Sequence, residues 1–392
     1  MLDNTDPSHC DLLAGKRVAV VGGGPAGLTL ARLLQLRGVD VRVFERDPSK
    51  EARTQGGSLD LHQGTGQLAI QKAGLEAKFR GVSRPEGQAF KLLDKEGKIR
   101  LEHKVAPGEM SRPEIDRGEL RRLFLDALAP DTVIWDRQLE RVESGQGESH
   151  RLIFKNGQDF TADLVVGCDG LWSKVRPLVS SLKPAYTGIS FIEARLTGVD
   201  QRHPAIARLV GQGAVLALGG HKGLWAQRNG DQSIRVYFSM QVPEHWVKQE
   251  PFNYQKPETV RGPLLAFYAD WSPQLTELLR AADDRFQPWM LYSFPPDQSW
   301  ETRPGVTVIG DAAHVMTPFT GEGANHAMFD AVELADCLMS GHFTTLTEAI
   351  HSFEQGMRKR MGPAIAQTFA QQALAFADDA PNGTAAAMAR YM

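Results

Sequence analysis

The first ordered pattern along the chain is Arg17-Val18-Ala19-Val20-Val21, a β-branched run closed by glycine that predicts a short buried strand. Pro25 to Arg37 follows, with Leu28, Ala31, Leu34 and Leu36 at nearly helical spacing, and Gly38 stops it. Val39 to Phe44 predicts a second strand. Strand, helix and strand in so short a span make a βαβ unit, which implies a parallel sheet.

Further on, Asp116-Arg117-Gly118-Glu119 has the form of a capping box, opening a helix that runs to about Leu128. Thr132 to Trp135, Asp163 to Gly167 and Val306 to Ile309 read as strands. Between residues 180 and 290 the pattern changes: Ala214 to Leu218 and Ile234 to Met240 suggest strands separated by glycine turns, and Trp246 to Leu279 is mixed. Ala324, Ala327, Met328, Ala331, Leu334, Ala335 and Leu338 mark one face of a long helix, and the Ala- and Gln-rich end is helical in pattern. The fold class expected is α/β: a discontinuous Rossmann-like domain, an inserted β-rich domain and C-terminal helices. The expected division is a tail over 1–14, a nucleotide domain over 15–76, 104–178 and 291–320, a substrate domain over 77–103 and 179–290, and a helical segment over 321–392.

Composition narrows the class. A chain of 392 residues exceeds the size at which one core stops growing, so two domains are expected. A net charge of −3 gives no reason to expect a nucleic-acid or membrane partner. Cys10, Cys168 and Cys337 are too few and too scattered for a disulfide framework or a cysteine metal site, which fits a reducing cytoplasm. Met1 to Leu13 lacks the basic start and apolar stretch of a signal peptide, and no apolar run approaches the roughly 18 residues of a membrane span.

Three motifs carry the chemistry. Gly22-Gly23-Gly24-Pro25-Ala26-Gly27 is a G-x-G-x-x-G between a strand and a helix: Gly22 for the turn, Gly24 for close approach to a pyrophosphate, Gly27 for helix–strand packing. Glu45, at the end of the next strand, is placed to hold a ribose diol. The motif does not separate NAD from FAD, and Arg46 reads either as a cation facing the cofactor or as a solvated charge. The second motif is Asp169-Gly170 with Ser173 and Arg176, where a strand ends in a carboxylate; it reads equally as a turn. The third is Gly310-Asp311 with Pro318, Gly321, Gly323 and Asn325, in which glycines open the long helix and present its N-terminus to an electron-rich ring. His314 reads as structural, with no metal spacing or carboxylate partner visible. No G-x-S-x-G and no Walker-type phosphate loop occurs.

In register, these motifs resemble the FAD fingerprints of the single-component flavin monooxygenases, the para-hydroxybenzoate hydroxylase-like family, over roughly residues 15–345. A narrower resemblance, to the TetX-type tetracycline-inactivating monooxygenases, is carried by Glu51 to His62, by Pro113 to Arg117 with Leu120-Arg121, and by Asp131 to Arg137. The resemblance implies FAD, with NADPH as transient reductant and O2 as co-substrate. It implies that Gly22, Gly24, Pro25, Ala26, Gly27, Glu45, Arg46, Gly57, Arg117, Arg121, Asp169, Asp311, Pro318, Gly321, Gly323, Ala324 and Asn325 hold the cofactor. Arg117 would lie at the ribityl or phosphate region, Asp311 at the ribityl chain, and Pro318 and Gly321 beside the isoalloxazine ring. Glu193, Ala214 and Arg235 stand where that subgroup turns Gln, Arg and His toward its drug, and with Phe319 they are the expected substrate contacts.

By the same resemblance, a hydroperoxide on the flavin C4a carbon would pass an OH group to a phenolic or enolic polycyclic or polyketide-like compound, tetracyclines among the possibilities. The cofactor would then carry the chemistry, and no protein residue is expected to act as catalyst. A flavin-dependent reductase or dehydrogenase on the same fold is the alternative, since fold does not fix reaction.

Overall fold

The computed structural model describes residues 12–52, 56–145 and 149–390. A five-stranded parallel sheet runs in the order Val306–Val308, Leu164–Gly167, Val18–Val21, Val41–Phe44, Val133–Ile134. Its three strands Val18–Val21, Leu164–Gly167 and Val306–Val308 are buried at every residue, because both faces are covered. Helices Pro25–Gln35 and Gly323–Met339 pack against each other beside it. Phe44 meets Phe154 and Phe160 of a three-stranded antiparallel sheet, with ring centroids 4.9 and 5.0 Å apart.

A seven-stranded sheet forms the second layer system, in the order Gln287–Ser293, Ala185–Leu196, Ile234–Gln241, Lys222–Arg228, Ala214–Gly219, Phe90–Asp94, Ile99–His103. Side chains alternate across it, so its two faces have different fates. One face carries Ile192, Ala194, Val236, Phe238, Leu224 and Ala226 and packs on Val260 and Leu264 of helix Glu258–Phe267 and on Leu275 and Leu278 of helix Pro273–Arg280. The registers Glu193 opposite Tyr237, Tyr237 opposite Trp225, and Trp225 opposite Leu216 put the opposite residues on the other face, which looks toward the nucleotide domain.

Two local expectations change. Leu12 and Leu13, placed in a polar tail, are buried in the main core; the rest of that tail lies outside the described residues, as does Cys10. Asp116 does precede a helix, Arg117–Leu125, but its side chain does not cap it. Its carboxylate instead accepts from Arg84 at 3.0 Å and from the Gly230 N–H at 3.0 Å, a charge-assisted bond outcompeting a local cap. The long C-terminal helix Leu346–Ala375 is properly boxed, Thr345 and Glu348 each satisfying the other's backbone N–H.

Candidate active site

The glycine-rich turn is shaped by backbone contacts. Gly22 has φ +107°, and a Cβ there would lie 2.3 Å from the Cys168 carbonyl oxygen; one on Gly27 would lie 2.1 Å from the Gly22 oxygen. At Gly24, by contrast, a Cβ would meet nothing within 4 Å. The turn is closed everywhere except where a ligand's phosphates would approach. Helix Pro25–Gln35 starts there without a side-chain cap and without an acid in its first turn, leaving its N-terminal dipole for an anion.

Glu45 is buried beside this turn. One carboxylate oxygen accepts the Gly23 N–H at 2.7 Å and the other the Asp47 N–H at 3.0 Å. Arg121 is buried beneath it, donating to the Gly23 carbonyl at 3.2 Å and to Asp47 at 3.2 Å, with its guanidinium 5.2 Å over Trp135. Arg121 therefore supports the turn from behind. Arg46 and Arg117 are exposed, and neither has an ion pair among the described residues. Arg53 to Gln55, within the TetX-like stretch, lie outside those residues.

Asp169 accepts the Lys174 N–H at 2.6 Å through one oxygen, while the other is buried with no partner. Burial holds this carboxyl above the usual range. Ser173 accepts the N–H groups of Val175 and Arg176. Arg176 is stitched inward, donating to the carbonyls of Ala312 at 3.1 Å and Ala313 at 2.6 Å, and lying 3.7 Å over Phe294. Burial lowers it to about 10. It braces the turn that carries Asp311.

Asp311 itself is exposed and makes no side-chain hydrogen bond among the described residues. The turn beneath it is held by a residue the sequence reading missed. Asp330, fully buried, accepts the Gly310 N–H at 2.7 Å, His314 Nε2 at 2.6 Å and Arg360 at 2.7 Å. His314 thus has a carboxylate partner, contrary to expectation, 16 residues along the chain and one helix away. Burial pushes the Asp330 carboxyl up, but His314 and Arg360 outweigh it and hold it at about 2. The available signal was an acid on the otherwise apolar face of Ala327, Met328 and Ala331.

Pro318–Thr320 forms a single turn ended by Gly321 at φ +72°, and helix Gly323–Met339 begins immediately after, again without a side-chain cap or an acid in its first turn. Ala324 is in that first turn. Asn325 accepts the His62 N–H at 2.8 Å and donates to the Asp60 carbonyl at 2.8 Å, pinning the helix start to residues 60–62. Asp60 and His62, whose side chains are 2.9 Å apart, stand beside Gly321, where a Cβ would lie 3.4 Å from Asp60.

The other face of the seven-stranded sheet packs near this turn, with Leu216, Leu218, Phe191 and Phe319 clustered against Ala375 and Phe376. Phe319, from the glycine turn, meets Phe191 edge-on at 6.3 Å and Phe376 at 5.8 Å. Glu193 and Arg235 are joined as an ion pair, and Trp289 Nε1 donates to the second Glu193 oxygen at 2.9 Å. A Cβ on Gly57 would lie 3.2 Å from both Arg235 and Tyr237, so the loop at Gly57 touches this face. Ala214 shares the face but lies two strands from Arg235, beyond Gln227, and adds only a methyl group. The structure therefore brings Glu193, Arg235, Gly57 and Phe319 together and leaves Ala214 apart.

These residues fit FAD. Two uncapped helix N-termini, the open side of Gly24 and the unpartnered Asp311 carboxylate offer groups for phosphates and for the hydroxyls of a linker.

A model of the FAD binding domain family matches residues 16–342. Monooxygenase penA of Penicillium thymicola is 31% identical, over 93% of this chain and 96% of that one. Among solved structures, HpxO of Klebsiella pneumoniae complexed with FAD and uric acid superposes with a TM-score of 0.78 at 20% identity, over 97% of this chain and 93% of that one. Tetracycline destructase Tet(55) superposes with a TM-score of 0.74 at 19% identity, over 96% and 94%. At such identities the two structures speak to the fold alone. No helix among the described residues is long and apolar enough to cross a membrane. The family match, carried by intact fingerprints in register, settles the class: the chain belongs to the FAD binding domain family and is an FAD-dependent monooxygenase.

Proposed function

We propose that this enzyme hydroxylates an electron-rich, phenolic or enolic polycyclic small molecule, using NAD(P)H and O2. The overall balance is substrate–H plus O2, NAD(P)H and a proton, giving substrate–OH, water and NAD(P)+. FAD, when bound, supplies the chemistry of accepting two electrons and activating oxygen. The observation that carries the reading is the meeting of Phe319 with Phe191, which sets the glycine turn beside an aromatic sheet face.

The remaining work belongs to the chain. Asp311 and the backbone at Gly24 would hold the linker and pyrophosphate, and the dipole of helix Gly323–Met339 would favour negative charge on a ring docked at its N-terminus. Phe191, Tyr237, Phe319 and Phe376 supply flat apolar surface that orients a ring and keeps water away.

The test is NADPH oxidation and O2 uptake by the purified holoenzyme over a panel of simple phenols, naphthols and tetracyclines. A substrate that stimulates both and gains one oxygen atom from labelled O2 is the expected result. Stimulated NADPH oxidation with a reduced product carrying no new oxygen would refute hydroxylation and favour a reductase.

A further inference from the structure

Resting on that reading of the aromatic face as the substrate wall, we propose that the Glu193–Arg235 pair selects uncharged ring substrates and rejects those bearing a carboxylate. Arg235 stands on this wall two residues along its strand from Tyr237, and an unpaired arginine there would be a ready carboxylate receptor, since its planar fork matches that anion. The geometry cancels it. Glu193 takes Arg235 Nη1 directly, and both side chains are largely buried, at 12% and 13% exposure, so solvent screens the pair poorly. Trp289 Nε1 occupies the other Glu193 oxygen and fixes the carboxylate in place.

One neighbouring cation, Arg117, is unpaired among the described residues, and the other nearby groups add no free charge. Tyr237, opposite Glu193 in the register, is pushed up to about 12 chiefly by burial and stays a neutral phenol. Arg195, opposite Arg235, is itself paired with Asp231. Arg117, the remaining cation felt by Tyr237, starts the helix expected to face the cofactor.

One donor is left over. Arg235 Nε is buried and bonds to nothing. An uncharged carbonyl or hydroxyl oxygen on a ring can accept that N–H without displacing Glu193, and it removes an unmet buried donor. A carboxylate in the same place gains no net attraction, because Glu193 already neutralises Arg235, and it carries a desolvation cost that a neutral oxygen does not. The substrate class is thus narrowed to neutral, oxygenated, fused aromatic or enolic rings.

The experiment compares three probes with one ring system: 2-naphthol, methyl 3-hydroxy-2-naphthoate and 3-hydroxy-2-naphthoate. Each is titrated into the holoenzyme, and the apparent Kd is read from perturbation of the flavin absorbance, with flavin content measured on every sample. The wild type should bind the neutral ester at least about tenfold tighter than the acid, whose charge is desolvated without a free cation at Arg235 to meet it. Glu193→Gln, which frees Arg235, should shrink or reverse that ratio. Arg235→Gln, which leaves Glu193 uncompensated, should widen it, and this opposite shift keeps the test decisive if one variant folds poorly.

Equal binding of ester and acid by the wild type, or an unchanged ratio in both variants, would overturn the charge selection while leaving the aromatic wall intact. Failure of all three probes to perturb the flavin, with flavin content normal, would overturn the wall itself and the selection with it.

Discussion

At the residue scale, the buried charges show what local pattern conceals. Glu114 lies opposite Asp60 in a two-stranded ladder, hydrogen-bonded by Ser58 and near Arg84. Burial first, and the Asp60 charge second, raise its carboxyl to about 8. The folded state therefore holds a proton that the unfolded chain loses near pH 4.5, so this group's stabilisation is complete below that pH and is lost as pH rises toward 8. The slope is roughly 1.4 kcal/mol per pH unit at most. Denaturant melts of the wild type and Glu114→Gln from pH 5 to 8 should differ in this sense, stability of the variant declining less with pH. Parallel curves would show that Glu114 is ionised throughout. The sequence did not show the partners of Glu114, Asp60 or Asp330, because each acquires its role from strands or helices distant in the chain. Glu45, at the end of the strand that follows the glycine-rich motif, could be read at once.

At the scale of elements, the strand–turn–helix unit was legible because its requirements are local. The glycines at 22, 24 and 27 nonetheless do different work, and this difference appears only in three dimensions. Gly27→Ala drives a methyl into the Gly22 carbonyl and should cost several-fold in soluble yield and about 2–3 kcal/mol or more in stability. Gly24→Ala meets open space, so the protein should fold and melt much as before but lose most of its flavin, with FAD affinity down by about tenfold or more. Flavin-to-protein absorbance ratios and thermal melts separate the two. A Gly24→Ala protein that keeps full flavin would show that the cofactor does not approach there. The helix after Asp116 illustrates the converse. Its start was read correctly, but its cap was assigned to a carboxylate that the tertiary structure uses elsewhere.

At the scale of the whole molecule, that same carboxylate ties the two sheet systems together. Asp116 accepts from Arg84 and from Gly230 in the turn after strand Lys222–Arg228, while Arg84 also donates to Ser58 and the Arg228 carbonyl. Asp116→Ala leaves a largely buried guanidinium and a backbone N–H without their acceptor, a loss of about 1–3 kcal/mol. Calorimetry should show a lower melting temperature and a broadened or split transition, with flavin protecting the nucleotide part. A single sharp transition at the wild-type temperature would mean that the two parts are coupled chiefly through Phe191, Phe319 and Phe376.

The sequence by itself determined the parallel sheet, the order of the fingerprints and, through them, the family, because a phosphate-binding turn and its helix are specified by residues within a few positions of one another. It also placed Glu193 and Arg235 among the candidate contacts. Only the tertiary structure decided that these two neutralise each other, that Asn325 ties the helix start to residues 60–62 and Arg121 binds the Gly23 carbonyl, and that Asp330 holds the turn carrying Asp311. The physical reason is the same in each case. Whether a polar side chain serves a ligand or another side chain depends on which partner is nearest once distant strands and helices have packed, and no local pattern encodes that choice.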